Sequence, residues 1–202
     1  MHFYNTHILP HMLNMAMNSK ATNKHRPEVV SNASGVVLEI GFGSGLNLPY
    51  YKNVAKLYAL EPSETLYHLA EKRIKSAQFP VEYLKNSAEK IPLEDNSVDS
   101  VVSTWTLCSI PHPEQAIKEI QRVLKPSGTL SFIEHGKSPK LLIAKLQKYI
   151  TPLSKKIAGG CHMDRDIMQL MGDDFTLKHK EQFQERFTPL LFMYKGVAVI
   201  HK

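Results

Sequence analysis

The chain has 202 residues, 43% of them hydrophobic and 22% charged, with a formal net charge of +6 at pH 7. That length suits one domain able to bury a full sheet between helix layers, and the composition excludes a disordered or low-complexity chain. The modest basic excess fits an anionic partner such as a lipid headgroup or a nucleic acid, and fits equally a basic protein that has no such partner.

Two cysteines, Cys108 and Cys161, are too few for a disulfide scaffold, and neither belongs to a CxxC pair. A reducing, cytoplasmic setting is expected. The segment from Met1 to Asn5 has no basic region leading into a long apolar run, so no signal peptide is expected. No apolar stretch reaches the roughly 20 residues that span a bilayer.

Residues 1–34 read as an N-terminal helical lid, with Ile8, Leu9, Met12, Leu13, Met15 and Ala16 at amphipathic spacing. The β-branched run Val36 to Ile40 reads as a buried strand that ends in a glycine cluster. A second strand is expected over Ala55 to Leu60. Ser63 then caps a helix that reaches about Ser76. Short runs at Val81–Leu84 and Val98–Thr104 give strands three and four. Pro113-Glu114 opens a helix from Gln115 to Leu124, stopped by Lys125-Pro126-Ser127-Gly128, and Thr129 to Glu134 is strand five.

Strand and helix alternate across this stretch, which predicts an α/β fold with a mainly parallel sheet and right-handed crossovers. After Glu134 the alternation stops. Residues 137–172 read as a helical cap insertion whose main helix, Lys140 to Ile157, bends at Thr151-Pro152. Phe175 to Phe183 and Leu190 to Ile200 then form an antiparallel hairpin. The whole chain, 1–202, is expected to be a single domain with a three-layer, Rossmann-like sandwich and a seven-stranded sheet.

Gly41, Gly43 and Gly45 follow the first strand. Glycines at such a turn let a ligand approach bare backbone, and free N–H groups await it. The spacing is GxGxG, whereas a dinucleotide fingerprint is GxGxxG; Leu46 and Asn47 follow where a phosphate loop needs Lys and Ser or Thr. The spacing therefore disfavours a triphosphate, and a dinucleotide ranks second. Glu61 ends the second strand about 20 residues further on, where a carboxylate can accept from both hydroxyls of a ribose.

Val37 to Gly45, followed by Leu60-Glu61-Pro62-Ser63, resembles the first two motifs of class I S-adenosylmethionine (SAM) dependent methyltransferases. Lys125-Pro126-Ser127-Gly128 resembles the turn before their fifth strand. Ile91-Pro92-Leu93 with Asp95 to Asp99 resembles a segment of the ubiquinone/menaquinone-type branch. The resemblance covers roughly residues 34 to 136. It implies SAM as cofactor, with S-adenosylhomocysteine as product. It also implies that Glu39, Gly41, Gly43, Gly45 and Asn47 line the methionine part, that Glu61 and Pro62 hold the ribose, that Ser87, Ala88 and Glu89 flank the adenine, and that Thr104 to Thr106 lie under the sulfonium. Ser87 departs from the family's Asp and accepts without charge.

Phe132 to His135, with Gly160 to Arg165, resembles a pattern of small-molecule methyltransferases that includes membrane-associated thiol methyltransferases and phospholipid N-methyltransferases. The implied acceptor is a small or lipid-like molecule of thiol, amine or phenol type. No nucleic acid is expected, since Thr104-Trp105-Thr106-Leu107 stands where nucleobase and glutamine methylases resemble NPPY or DPPY. A phospholipid or quinone-type enzyme, and a SAM-binding protein without turnover, are the alternatives.

Methyl transfer from a sulfonium needs alignment above all, and a base only where the acceptor carries a proton. His135 is the first base candidate and His112 the second. Tyr4, His135, Cys161 and Asp164 are expected to face the acceptor. Leu107-Cys108 reads as inert packing, and Cys161-His162 is too sparse for zinc, so no metal is expected. On the 140–157 helix, Lys140, Lys145, Lys148, Lys155 and Lys156 share one side. Leu142, Leu146, Tyr149, Ile150, Leu153 and Ile157 share the other, to be packed on the domain, capping an apolar substrate, or resting on a membrane as a peripheral contact. Oligomeric state is not legible.

Overall fold

The β-branched runs form strands and the capped, amphipathic runs form helices, in a computed structural model that describes residues 3–172, 175–184 and 190–200. Residues 1 and 2 of the expected lid, and the turn of the expected hairpin, lie outside the described residues. A π-helical turn, Tyr4–Ile8, leads into α1 (Leu9–Met17), α2 (Lys20–Asn23) and α3 (Arg26–Val30). The alternating region follows as β1 (Ser34–Ile40), β2 (Asn53–Leu60), α4 (Glu64–Lys75), β3 (Val81–Leu84), β4 (Val98–Thr104), α5 (Pro113–Val123) and β5 (Leu124–Gly136). The chain ends in α6 (Leu141–Ile157), α7 (Ile167–Met171), β6 (Phe175–Gln184) and β7 (Phe192–Ile200).

The seven strands lie in the order β3-β2-β1-β4-β5-β7-β6. β1 to β5 are mutually parallel, while β7 runs antiparallel to both β5 and β6. Alternate residues of each strand serve the two faces. Leu38, Ile40, Val101, Leu130 and Phe132 pack with Ala116, Ile117 and Ile120 of α5 and Ile167 and Met171 of α7. Val37, Leu57, Ala59 and Val102 pack on the other face with Val30 and with Ala70 of α4. The expected three-layer sandwich with an antiparallel C-terminal pair is what forms.

Boundaries differ in three instructive places. The helix expected to reach Leu124 ends at Val123, and Leu124 already pairs with Val98 as strand. The next pair is Ser100 with Thr129, so Lys125 to Gly128 bulge out within β5 instead of ending before it. Lys125 Nζ binds Asp99 Oδ1 at 2.6 Å, and Asp99 Oδ2 accepts from Val36 N–H, which ties the bulge to the start of β1. Third, α6 starts at Leu141 with Lys140 as its N-cap, and Pro152 stays inside the helix.

The larger correction concerns how α6 docks. Its polar residues Gln147, Thr151 and Ser154 face inward and are buried. Gln147 accepts from Ser138 N–H and donates to the carbonyls of Gly136 and Leu190. Thr151 Oγ1 donates to Asp164 Oδ1 at 2.8 Å. The apolar side expected to pack on the domain faces out: Leu142 is 81% exposed and Tyr149 85%, with Leu146, Leu153 and Ile157 also exposed. Phe3, Ile8, Met12 and Met15 of the N-terminal helices are exposed too. The two segments are joined where Tyr4 Oη donates to the Ile157 carbonyl at 2.7 Å. Among the described residues, no helix is long and apolar enough to cross a membrane.

Candidate active site

The strand order reverses between β1 and β4, and open α/β sheets bind ligands in the crevice at the C-terminal ends of such strands. A cavity of about 580 Å³ opens there, within the range of small-molecule sites. Its wall comes from the glycine turn after β1, the ends of β2 and β3, the turn after β4, His135 of β5, α1, and residues 158–161 beyond α6.

The glycine turn is pinned from both sides. Phe42 N–H donates to the Leu60 carbonyl, and Arg73 Nη1 donates to the Ser44 carbonyl. Gly41, Gly43 and Gly45 have φ of +63°, +57° and +73°, which L side chains seldom adopt. At Gly41 a Cβ would collide with the Thr106 side chain, 2.5 Å from Cγ2. At Gly43 the nearest atom to a Cβ is the Gly41 carbonyl oxygen at 3.8 Å, so that Cβ would enter the cavity. The two positions separate stability from ligand binding. Gly41→Ala is expected to lose at least about 3 kcal/mol through clash and φ strain. Gly43→Ala should lose only about 1–2 kcal/mol, from φ, while weakening ligand binding more. Thermal unfolding with calorimetric titration checks this; equal stability losses at both positions would refute it.

Glu61 is 5% exposed and lines the cavity. Its carboxylate accepts from Gly43 N–H at 2.9 Å and Ser63 N–H at 2.8 Å, leaving lone pairs free toward the cavity. Burial raises its pKa, against those two hydrogen bonds. Glu39 is fully buried, and burial pushes its pKa up to about 7. Tyr51 Oη and Asn47 Nδ2 donate to it at 2.6 and 2.9 Å, and Asn47 Nδ2 also reaches Thr104 Oγ1. Arg26 Nη1 completes the network at Asn47 Oδ1, 2.7 Å away, with its pKa pulled down by burial to about 10. The guanidinium also stands 4.8 Å above the Trp105 ring. Trp105 has φ of +54°, rare for a bulky residue, and its N–H donates to the Ile133 carbonyl.

The turn after β4 is organised from beneath by Glu134, which is wholly buried. Its carboxylate accepts from Ser103 Oγ at 2.6 Å, Thr106 N–H at 3.0 Å and Cys108 N–H at 3.4 Å. Arg165 grips the same turn from above, donating to the carbonyls of Leu107 and Ile110. His162 N–H donates to the Cys108 carbonyl at 2.8 Å. The segment after α6 is thereby locked onto the cavity rim.

Of the residues singled out from sequence, Glu39, Gly41, Gly43, Glu61, Pro62, Ser87, Ala88, Thr104, His135 and Cys161 lie in the cavity wall. Gly45 and Asn47 stand behind it, and Asn47 acts through Glu39. Glu89 also lies behind; it accepts from Ser87 Oγ and from His112 N–H, so a carboxylate does stand beside the serine that replaces the family's Asp. The His112 side chain is exposed at the start of α5, away from the wall. Asp164 binds Thr151, and Tyr4 binds the end of α6; neither faces the cavity. Arg26, Asn86, Asn14 and Met17 are wall residues that were not singled out from the sequence, although Asn14 and Met17 belong to the expected lid segment.

Cys108, His135 and Cys161 come together in the cavity wall. His135 Nε2 and Cys161 Sγ are 2.8 Å apart. The Cys108 thiol and burial push the Cys161 pKa well up, so Cys161 keeps its proton at neutral pH and donates to His135. The first base candidate is thus occupied by a thiol. Cys108 is buried, as inert packing requires, yet it lines the cavity and closes a group of three ligand-type atoms.

A family model described as a methyltransferase domain matches residues 38–132. The human protein named thiol S-methyltransferase TMT1B is 32% identical over 180 residues, covering 86% of this chain and 72% of that one. The chain belongs to the class I SAM-dependent methyltransferases, and SAM is its cofactor. The rat thiol S-methyltransferase TMT1B is 36% identical over 137 residues, or 64% of this chain, which spans about half of that relative's length (55%). Phosphatidylethanolamine N-methyltransferase of Cereibacter sphaeroides is 25% identical over 157 residues, with 77% of this chain and 76% of that one covered. A SAM-dependent methyltransferase from Aquifex aeolicus superposes with a TM-score of 0.61 at 20% identity, covering 95% and 98% of the two chains, which speaks to fold.

The wall suits SAM chemically. Glu61 offers carboxylate lone pairs for ribose hydroxyls, and Gly43 leaves room for a ligand where any side chain would stand. Asn14 Oδ1 is buried on this wall without a hydrogen-bond partner, and SAM brings donors of its own.

Proposed function

We propose that this protein methylates a small, partly apolar thiol at sulfur. The observation that carries the proposal is the chemistry of the cavity wall, where Cys108, His135 and Cys161 come together in a cavity that Trp105 and Ile110 also line. Apolar walls suit an alkyl or aryl acceptor, and the sulfur and imidazole groups suit a thiol. The relatives named thiol S-methyltransferase support the same choice.

Bound SAM supplies an electrophilic methyl group on a sulfonium. The protein's residues have three tasks. Glu61, Pro62 and the glycine turn hold the ribose and methionine parts, while Asn86, Ser87 and Ala88 border the adenine. Trp105 and Thr106, fixed by Glu134, set the reacting line between cofactor and acceptor. Residues 1–34 and 137–172 close the cavity as lid and cap, since α1 and residues 158–161 complete its wall. Turnover on a panel of alkyl and aryl thiols, amines, phenols and phosphatidylethanolamine tests the proposal; methyl transfer to amines or phenols but to no thiol overturns it.

Cofactor affinity is expected to rise with pH between about 5 and 8. Burial raises the pKa of both carboxylates, to about 7 at Glu39, so protonated Glu39 persists to about that pH in the free protein. A cationic cofactor and ribose hydroxyls favour the ionised carboxylates, so binding must release protons. For folding the sign is opposite. Each raised pKa contributes stability that is present below the unfolded value and is lost as pH rises through the folded one. Calorimetry in buffers of different ionisation enthalpy at pH 6 measures the release; zero proton release would contradict it.

One observation favours a second reading, in which the acceptor is lipid-like and met at a membrane surface. The apolar face of α6 is exposed and flanked by Lys145, Lys148, Lys155 and Lys156, the pattern of an interfacial helix. Co-sedimentation with anionic vesicles should fall several-fold in the double variant Leu142→Asp, Tyr149→Asp. Equal recovery of the unaltered protein with anionic and neutral vesicles would rule this out.

A further inference from the structure

Three ligand-type side chains from separate parts of the chain converge in the cavity wall. Cys108 stands after β4, His135 near the end of β5, and Cys161 beyond α6. Cys108 Sγ, a His135 ring nitrogen and Cys161 Sγ all lie within 4.8 Å of one another. All three residues line the cavity. We propose that they bind one Zn²⁺ ion and leave its fourth position open to the cavity, where the sulfur of a thiol acceptor binds as thiolate.

The donor set selects the metal. Two sulfurs and an imidazole, without a carboxylate, suit zinc and disfavour the hard cations. Three protein ligands with one open position is the arrangement of catalytic zinc, in contrast to the closed four-ligand structural sites. Zinc bonds of about 2.3 Å to sulfur and 2.0–2.1 Å to nitrogen put tetrahedral S and N ligands about 3.5 Å apart. Cys161 Sγ and His135 Nε2 are 2.8 Å apart, so the hydrogen bond between them opens by about 0.7 Å as the ion enters. Two thiolates and a neutral imidazole cancel the charge of the ion, which a buried site requires. A third thiolate, from the acceptor, adds one negative charge. Arg165 offsets it, since its guanidinium binds the carbonyls of Leu107 and Ile110 on either side of Cys108.

Coordination gives the acceptor what methyl transfer needs. The thiol R–SH loses its proton to water on binding zinc, because a coordinated thiol is deprotonated. A lone pair of the bound sulfur then forms the new S–CH₃ bond as the sulfonium C–S bond of the donor breaks, and the breaking pair stays on the donor sulfur. The products are R–S–CH₃ and S-adenosylhomocysteine, and the neutral thioether, a weaker ligand, leaves the metal. The fourth ligand rests on the thiol assignment made above; the three protein ligands do not.

The test uses the full chain, stripped of metal by chelator dialysis and titrated with Co²⁺ as a coloured stand-in for Zn²⁺. One equivalent should give thiolate-to-cobalt charge-transfer and tetrahedral ligand-field bands, which Zn²⁺ then removes. Cys161→Ser and His135→Gln should each weaken Zn²⁺ binding by more than about 100-fold, beyond the loss of an outer-shell partner. Titration with SAM shows that each variant retains a folded cofactor site. Absence of the charge-transfer band, or an unchanged spectrum in Cys161→Ser, overturns the zinc site. Thiol turnover that survives exhaustive chelation, with no cobalt spectrum, overturns the zinc site and leaves the thiol assignment standing. A ligand-dependent cobalt spectrum with no turnover on any thiol supports the three-ligand site and overturns the thiol assignment.

Discussion

Glu61→Ala is expected to raise the dissociation constant for SAM about 100-fold. A hydrogen bond to a charged acceptor contributes about 1.5–3 kcal/mol, and about 2.7 kcal/mol is a factor of 100. In the proposed assignment Glu61 receives ribose hydroxyls while it also holds Gly43 N–H and Ser63 N–H. The alanine therefore removes a ligand contact and loosens the glycine turn together. Glu61→Gln separates the two effects. It keeps the volume and one acceptor oxygen but turns an amide toward backbone donors, and an intermediate loss of about 10-fold is expected. Calorimetric titration with SAM and with S-adenosylhomocysteine measures both. A dissociation constant within threefold of the parent in Glu61→Ala would remove this residue from the cofactor site.

Glu134→Ala should cost about 3–5 kcal/mol of folding stability, the largest loss expected from one carboxylate in the chain. Glu134 is wholly buried and accepts from Ser103 Oγ, Thr106 N–H and Cys108 N–H. Each buried donor left without an acceptor costs about 1–3 kcal/mol, and alanine leaves three. The damage should spread to the site, because these donors shape the turn that carries Trp105, Thr106 and Cys108 into the cavity wall. Burial raises the Glu134 pKa, so the uncharged amide of Glu134→Gln is expected to be milder, at about 1–2 kcal/mol. Urea unfolding of the three proteins checks the order. A loss under 1 kcal/mol in the alanine variant would mean that water or relaxation replaces the carboxylate.

The fold was legible because its signals are local. Val36 to Ile40 is β-branched and bounded by glycine, Ser63 caps α4 by accepting from Leu66 N–H, and β3 and β4 fall on the predicted residues. The C-terminal hairpin followed from a change in rhythm after Glu134. What escaped was tertiary. Helical periodicity separates two sides of α6 but cannot say which one docks. Gln147 decided that question with hydrogen bonds at both ends of its amide, and a lone Gln in a helix carries no such signal. Arg26 reads as an ordinary surface cation, yet it is buried because Asn47, Asn23 and the Met17 carbonyl all accept from it. The cysteine and histidine group in the cavity wall is assembled from positions 26 and 27 residues apart, so no local spacing could announce it. Cys161 was weighed with its neighbour His162, whereas its partner in space is His135.

The two margins of the sheet carry a consequence for how the protein behaves when concentrated. β3, at one margin, is four residues long and offers little ladder to a foreign strand. β6, at the other, exposes Lys178 through Gln182, a run of lysine, histidine and glutamate that resists strand addition. Chain-to-chain growth by sheet extension is therefore disfavoured at either end. Among the described residues, the greasy flank made by α6 and α1 is a surface open to self-contact, and a mild detergent, more than salt, is the variable that should govern how well this protein stays dispersed.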